Sequence, residues 1–199
     1  MDPDEVAAAV RAAAAGDSLA WRWLVDHYTG LVWSVARSFR LEKFDAEDVV
    51  QTTWERCARN LAEIREPEHL GAWLATTARR EALRVYELRR RTSAGGDLSW
   101  AEIDRADSLS PEQVVLDRSE ADDRTAFGRR AWLAMEQLPD MCRQLLRVLL
   151  STPPPTYAEA AAALGRPIGY IGPSRRRCLD RLRTLLGPPV SADGPAAHD

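Results

Sequence analysis

The sequence predicts an all-α protein with two small helical domains joined by a flexible acidic linker. Apolar residues recur at steps of three and four along most of the chain, as on one face of a helix. No segment shows the apolar–polar alternation of a strand. Alanine and arginine are abundant, and both favour helices. A length of 199 residues allows two small domains.

Four helices are predicted in the first domain, residues 1–91. The first contains Val6 and Val10, and the second covers residues 19–39. The third is expected to begin at Asp45, with Asp48 three residues later as its capping partner. The fourth covers residues 70–91. The apolar positions of the second helix are expected in the core: Leu19, Trp23, Leu24, Tyr28, Leu31, Val32, Val35 and Phe39.

Turn-forming residues interrupt the helical pattern at residues 92–113, which we interpret as the linker. The acidic composition continues to residue 127. The second domain is predicted at residues 114–186, with a break at Pro139 and a stiff connector at residues 153–155. The proline-containing tail, residues 187–199, is expected to be disordered.

Several functional classes find no support in the composition. No apolar run approaches the roughly 20 residues of a membrane span, and the acidic N-terminus is unlike a signal peptide, so we expect a cytoplasmic protein. We find no catalytic Ser/His/Asp set, phosphate-binding glycine loop or metal-ligand spacing, and predict neither an enzyme nor a cofactor or metal. Cys57, Cys142 and Cys178 are expected to be reduced, structural thiols.

Arginine is concentrated in two places, although the net charge of the chain is −3. Concentrated positive charge is what phosphate backbones attract, so two clusters suggest two separate grips on nucleic acid. The central cluster is Arg79, Arg80, Arg84, Arg89, Arg90 and Arg91. The C-terminal cluster is Arg166, Arg175, Arg176, Arg177, Arg181 and Arg183.

The C-terminal cluster lies in a predicted helix-turn-helix. Thr156 and Glu159 form a capping box for a short helix that ends before Gly165, and a second helix follows over residues 170–186. Pro173 fits only the first helical turn, so this helix is expected to start near residues 169–172. The apolar face is predicted to be Ile171, Cys178, Leu179, Leu182, Leu185 and Leu186, with Arg175 beside it. The outward face is predicted to include Tyr170, Pro173, Arg176, Arg177 and Arg183.

The central cluster forms a stripe along the fourth helix: Trp73, Thr77, Arg80, Arg84, Glu87 and Arg91. The opposing apolar face is Leu74, Ala75, Ala78, Ala82 and Val85. An aromatic side chain among arginines suits the unstacking of bases as well as phosphate binding. On spacing alone, a solvated basic helix explains the stripe equally well. The third helix has a polar outward face that includes Asp48, Gln51, Thr52, Glu55 and Arg59.

Three motifs together resemble bacterial RNA polymerase sigma factors of the extracytoplasmic-function (ECF) type. Residues 45–54 (DAEDVVQTTW) are similar to a signature of that family, and residues 73–80 (WLATTARR) to the helix that follows it. Residues 157–169 are similar to the family's last helix-turn-helix. The motifs occur in the family's order, and the resemblance covers residues 6–186.

The resemblance implies a first domain that binds the β′ clamp helices of core RNA polymerase and opens the −10 promoter element. It implies a second domain that reads the −35 element and contacts the β flap. The implied β′ contacts are Asp48, Gln51, Thr52 and Glu55. The implied −10 contacts are His69, Trp73, Thr77, Arg79, Arg80 and Arg84, with residues 63–71 capturing a flipped base. The implied −35 contacts are Tyr170, Pro173, Ser174, Arg176 and Arg177.

The resemblance also implies that the acidic linker passes through the polymerase channels as a nucleic-acid mimic, and that a cognate anti-sigma factor is a possible partner. Promoter preference is expected to differ from that of many relatives, which have Asn in place of Arg80 and Lys-Ser in place of residues 172–173. Two alternatives remain: an autonomous helix-turn-helix regulator, which would bind promoters tightly by itself, and a small helical enzyme or scaffold.

Overall fold

A computed structural model describes residues 2–92 and 122–187 of the chain, with side chains for residues 2–91 and 128–187. All regular secondary structure in these two ranges is helical, which confirms the predicted fold class. Nearly all of the predicted linker and tail lie outside the described residues.

Four α-helices make up the N-terminal half: α1 (Pro3–Ala14), α2 (Ser18–Ser38), α3 (Lys43–Asn60) and α4 (Leu70–Thr92). Asp2 caps α1 and Asp17 caps α2, because each carboxylate accepts hydrogen bonds from backbone N–H groups of the first turn. Two short 3₁₀ turns, Leu61–Glu63 and Pro67–His69, connect α3 to α4.

The start of α3 differs from the prediction. The helix begins at Lys43 after Glu42, and no side chain caps it. The Asp45 carboxylate lies in the first turn and forms an ion pair with Arg89, near the end of α4. Arg89 also binds the Glu42 carboxylate at 2.8 Å. The predicted cap at Asp45 is therefore wrong, because a cation distant in sequence occupies the carboxylate.

The C-terminal half also has four described helices: α5 (Asp122–Glu136), α6 (Asp140–Leu149), α7 (Tyr157–Leu164) and α8 (Ile168–Leu186). The capping box of α7 is confirmed: Thr156 Oγ1 accepts from the Glu159 N–H at 3.2 Å, and the Glu159 carboxylate accepts from the Thr156 N–H at 2.7 Å. Gly165 ends α7 with a φ of 60°, which glycine adopts without steric cost.

Helix α8 starts earlier than predicted. Pro167 precedes its first residue, Ile168, so Pro173 is the sixth residue of the helix. A proline at this position leaves the preceding turn without one i→i−4 hydrogen bond. Tertiary packing compensates, because Ile171 and Cys178 on this helix are buried in the core.

One hydrophobic cluster extends through both halves of the molecule. Its N-terminal members are Val6, Val10, Leu24, Tyr28, Leu31, Val32, Val35, Cys57, Leu61, Leu70, Leu74, Ala75 and Ala78. Its C-terminal members are Met135, Leu138, Cys142, Leu145, Leu146, Val148, Ala160, Ala161, Ala163, Leu164, Ile171 and Cys178. The expected core positions Leu19, Trp23 and Leu185 are exposed instead.

The cysteine prediction is also partly wrong. Cys142 on α6 and Cys178 on α8 form a disulfide with a Cα–Cα distance of 5.2 Å. Cys57 is a free, buried thiol, and burial raises its pKa to about 12. The 36-residue separation gave no motif, and only the fold brings the two sulfur atoms together.

Candidate functional site

Helix α3 presents a polar face to solvent. Asp48, Gln51 and Glu55 are exposed, and Thr52 is half-buried. The Gln51 amide donates to the Glu55 carboxylate at 3.1 Å, and Arg59 pairs with the same carboxylate at 3.1 Å. These bonds stay within one helix surface, so the face is free for a partner.

The buried side of α3 holds this face in position. Ala46, Val49, Thr53 and Cys57 are buried, and the Thr53 hydroxyl donates to the Val49 carbonyl at 2.7 Å. Trp54 packs edge-on against Trp21 of α2 with ring centroids 5.8 Å apart. The helix is thus anchored by one side only. Ala58, on the other side, is exposed.

Phe44 extends the polar face of α3 with an apolar group that the sequence reasoning missed. Its side chain is 78% exposed. Phe44, Asp48, Gln51 and Glu55 follow one another at steps of four, three and four, which places them on one face of the helix. The same spacing was available in the sequence, but an aromatic residue at a helix start was not recognised as a surface group.

The stripe of α4 lies on the outer side of the helix, and its first four members are Trp73, Thr77, Arg80 and Arg84. Arg80 and Arg84 are exposed, while Trp73 and Thr77 are half-buried. The opposing face is buried as predicted: Leu74, Ala75, Ala78, Ala82 and Val85. The helical wheel therefore separated core from surface correctly on α4.

A buried carboxylate organises one end of the stripe. Glu81 is only 3% exposed, and its two oxygens bind Arg84 at 3.0 Å and Arg56 of α3 at 2.8 Å. A carboxylate in a dry site needs such charged partners. Arg84 is thereby held in a fixed place on the helix, with more than half of its side chain still in solvent.

Two further residues predicted to contact the −10 element lie outside the stripe. His69 is exposed in the 3₁₀ turn immediately before the helix. Arg79 points away from the stripe: a Cβ built on Gly165 would lie 2.6 Å from its Cζ atom. Arg79 is thus covered by the turn between α7 and α8, whereas His69 is not buried.

The outer face of α8 contains four of the five residues predicted to contact duplex DNA. Pro173, Arg176 and Arg177 are exposed. Tyr170 is half-buried, and the Arg166 guanidinium stacks over its ring at 5.8 Å. Ser174 is 3% exposed, and its hydroxyl accepts a hydrogen bond from Arg177 at 3.1 Å. In this conformation Ser174 orients Arg177 and is not itself accessible.

A basic cleft of about 210 Å³ lies between the start of α7 and α8, lined by Tyr157, Gly172, Arg175, Arg176, Leu179 and Arg183. Arg175 is exposed here and donates to the Tyr157 hydroxyl at 3.4 Å. The prediction that Arg175 belongs with the apolar face is wrong. Its long side chain reaches past the α8 surface to the neighbouring helix.

Neither a metal-binding cluster nor a membrane-spanning helix occurs among the described residues. No group of three or more His, Cys, Asp or Glu side chains there could hold a metal ion. None of the helices in residues 2–92 and 122–187 combines the length and apolarity required to cross a bilayer.

Comparison with known families identifies the region that contains α3 and α4. Residues 24–93 match the Sigma-70 region 2 family. Both the polar face of α3 and the arginine stripe of α4 lie inside this match. Among curated proteins, none matches the chain.

Solved structures share the helical architecture over most of the chain. A structure of CnrH in complex with the cytosolic domain of CnrY matches with a TM-score of 0.56 and 21% identity, covering 92% of this chain and 97% of that one. The sigma factor RpoE from Bartonella quintana, in complex with the anti-sigma factor NepR, matches with a TM-score of 0.58 and 22% identity. That match covers 83% of this chain and 96% of the other.

Proposed function

We propose that this chain is a sigma factor of the ECF type, which recruits core RNA polymerase to promoters and takes part in opening the −10 element. The observation that carries the proposal is the Sigma-70 region 2 match at residues 24–93. One small helical unit there presents both a polar protein-binding face and an aromatic–arginine stripe. The match disfavours an autonomous DNA-binding regulator.

The polar face of α3 is the proposed contact for the β′ clamp helices, through Asp48, Gln51, Thr52 and Glu55. Phe44 would add an apolar anchor at the end of this face. Exposed aromatic side chains are frequent hot spots of protein interfaces, where they are surrounded by polar groups. The exposure of Phe44 beside three polar side chains supports this assignment.

The arginine stripe of α4 is the proposed −10 site. Arg80 and Arg84 would bind phosphates of the non-template strand, and Trp73 would stack on an unpaired base. His69 and the turn around it would receive a flipped base. Arg79 would contact this DNA only after its side chain moves away from Gly165. The exposure of the two arginines, on a helix fixed by a buried opposite face, supports the assignment.

The outer face of α8 is the proposed −35 reader. Arg176 and Arg177 would contact base edges or phosphates of the duplex, with Tyr170 and Pro173 beside them. Ser174 would act by orienting Arg177. We add Arg175 to this set as a phosphate contact, because its side chain lines the basic cleft together with Arg176 and Arg183.

The proposal also covers the further partners of the chain and assigns it no enzymatic activity. The described residues include no metal-binding group, and we assign no catalytic step to the chain. A contact of the second domain with the β flap is proposed, and action in the cytoplasm follows from the polymerase partner. A cognate anti-sigma factor is also proposed, since the RpoE neighbour was solved with one.

Co-elution with core RNA polymerase tests the proposal. We expect the full chain to form a stable complex on size exclusion and to bind free duplex weakly. Asp48→Arg should weaken the complex at least tenfold, because it reverses a charge on the α3 face. Asp26→Arg, at an exposed acid on α2, is the matched control and should bind normally.

Two outcomes would contradict the proposal. One is failure of the folded chain to associate with core polymerase. The other is tight, salt-sensitive promoter binding by the chain alone, which is the behaviour of an autonomous regulator. If the chain does bind core polymerase, sequencing the transcripts that the two make in vitro would identify the promoters.

A further inference from the structure

An acidic residue lies on the buried face of α4. Glu81 is 3% exposed and is three residues after Ala78 and four before Val85, which places all three on the apolar side of the helix. A leucine at this position would continue the apolar face with no charge to compensate. Buried ion pairs add little stability compared with apolar side chains of similar size. Stability alone therefore does not account for the carboxylate.

Two arginines from different helices meet at this carboxylate. Oε1 of Glu81 lies 2.8 Å from Nη1 of Arg56 on α3, and Oε2 accepts from Nε of Arg84 on α4 at 3.0 Å. The side chains of Arg56 and Arg84 are 47% and 58% exposed. The single negative charge is thus buried while two positive charges reach solvent, so the group presents net positive charge at the surface.

The contact with Glu81 leaves the outer edge of the Arg84 guanidinium open. Glu81 binds Nε, and the two terminal nitrogens of Arg84 form no hydrogen bond within residues 2–92 and 122–187. A guanidinium is a rigid planar fork, so a carboxylate fixed at Nε sets the direction of the whole group. An arginine that is already ordered loses less rotamer freedom when it binds a phosphate. Glu81 therefore prepares Arg84 for an anionic ligand.

Arg56 is brought to the same place from α3. Because both guanidinium groups contact one carboxylate, their bonding nitrogens lie within about 8 Å of each other. That separation suits one phosphate, or two neighbouring phosphates of a single strand, bound by charge-assisted hydrogen bonds. Neither helix could build this arrangement by itself.

We propose that Glu81 is a positioning residue for the −10 element, and that it makes Arg56 and Arg84 a phosphate clamp for the unpaired non-template strand. The clamp, defined by Arg56, Glu81 and Arg84, adds α3 to a DNA surface otherwise formed by α4 and the turn before it. Glu81 itself does not touch DNA. The inference rests on the proposed function, because it requires α4 to be the −10 site.

The sign of the effect of neutralising Glu81 separates this role from a structural one. An acid that only balances charge repels nearby phosphates, so its removal should strengthen DNA binding. An acid that orients two arginines should weaken DNA binding when it is removed, although the surface becomes more positive. The urea midpoint measures any loss of stability independently of either effect.

Glu81→Gln tests the clamp in the holoenzyme formed from core RNA polymerase and the full chain. The probe is a fork-junction DNA from a promoter that the wild-type holoenzyme transcribes in vitro, single-stranded in the non-template strand from the −10 element onwards. We expect affinity for this DNA to fall about fivefold or more, while affinity for core polymerase stays the same. Glu87→Gln removes the same charge from an exposed position of α4 and should strengthen DNA binding slightly.

A double-mutant cycle shows whether Glu81 acts through Arg84. In an Arg84→Ala background, the loss caused by Glu81→Gln should shrink to about twofold or less. Arg56→Ala tests the second arm: it should weaken fork-junction binding and make the negative salt slope shallower by about 0.7, the value for one phosphate of a single strand. Arg22→Ala, at an exposed arginine of α2 outside the proposed surfaces, is its control and should change neither quantity.

The outcomes separate the clamp from the proposed function. A folded Glu81→Gln that binds fork-junction DNA as tightly as the wild type, or more tightly, overturns the positioning role. If Glu81→Gln does not fold, Glu81→Leu, which continues the apolar face, decides by the same measurement. If Arg56→Ala behaves like Arg22→Ala, the two-helix clamp is overturned. In each of these cases the wild-type holoenzyme still binds the fork-junction DNA. A wild type that forms no holoenzyme, transcribes no promoter or prefers duplex to fork-junction DNA contradicts the proposed function, and the clamp with it.

Discussion

Cys142 on α6 is bonded to Cys178 on α8, so a covalent link closes the framework around the helix-turn-helix. Both cysteines are buried, and the 36-residue loop between them contains the whole of α7. The link fixes the buried face of α8, whose opposite face carries Arg176 and Arg177. We therefore expect the disulfide to hold in place the two arginines that we propose as −35 contacts.

Reduction of this disulfide should destabilise the C-terminal half. In the chain-entropy account, a loop of this size corresponds to about 3–4 kcal/mol. We expect dithiothreitol to lower the urea midpoint of the wild type. The Cys142→Ser/Cys178→Ser double variant should unfold early with or without reductant. A wild-type midpoint that does not respond to reductant would contradict the prediction.

Local features of the fold could be predicted from the sequence because they depend on neighbouring residues. The apolar face of α4, the capping box at Thr156 and the turn at Gly165 are examples. The start of α3 could not, because Arg89, more than 40 residues away, takes the Asp45 carboxylate. The disulfide was missed for the same reason, since its partners meet only in the folded chain.

In the candidate surfaces, too, local features could be predicted from the sequence and long-range contacts could not. Periodicity placed Arg80 and Arg84 outside and the alanines of α4 inside. It failed at Arg175, because a helical wheel describes where a Cα lies and not where a long side chain ends. The burial of Ser174 and the packing of α7 against α4 depend on contacts between distant segments. A local sequence pattern cannot predict them.

Phe44→Ala should weaken binding to core polymerase about tenfold without loss of stability. Phe44 is 78% exposed, so its removal leaves no cavity, whereas a buried aromatic anchor in an interface is often worth more than 1 kcal/mol. Leu133→Ala is the control, since Leu133 is an exposed apolar residue of α5. Fluorescence anisotropy against core polymerase measures the effect. If the two variants bind core polymerase with equal affinity, Phe44 is not part of the interface.

Glu136→Ala should destabilise the C-terminal half by about 3 kcal/mol. Its carboxylate pairs with Arg143 at 3.3 Å and with Arg147 at 2.7 Å, and both arginine side chains are nearly buried. Removal of Glu136 takes a carboxylate from both nearly buried cations, although Arg143 keeps its ion pair with Asp140. Asp180→Ala breaks the exposed pair with Arg183 and should change the urea midpoint little. If both variants lose a similar amount of stability, burial of the ion pairs does not explain the effect of Glu136→Ala.

Cys57 should resist alkylation in the folded protein. Burial raises its pKa to about 12, so at pH 8 only roughly one thiol in ten thousand is ionised. The thiolate is the reactive species, and raising the pH towards 12 should increase its fraction. We expect iodoacetamide at pH 8 to label Cys57 in urea but not in buffer, as followed by mass spectrometry. Rapid labelling in buffer would mean that the site opens frequently.

Arg175→Ala should weaken duplex DNA binding uniformly across sequences. Its guanidinium lines the basic cleft with Arg176 and Arg183, where it can neutralise one phosphate. The negative slope of the logarithm of the binding constant against the logarithm of salt concentration should therefore become shallower by about 0.9. Arg181→Ala removes the same charge from the same helix outside the cleft, and should leave the slope closer to that of the wild type. Titrations of the full chain with a random-sequence duplex at several salt concentrations measure both slopes. An unchanged slope for Arg175→Ala, or equal slopes for the two variants, would exclude Arg175 as a specific phosphate contact.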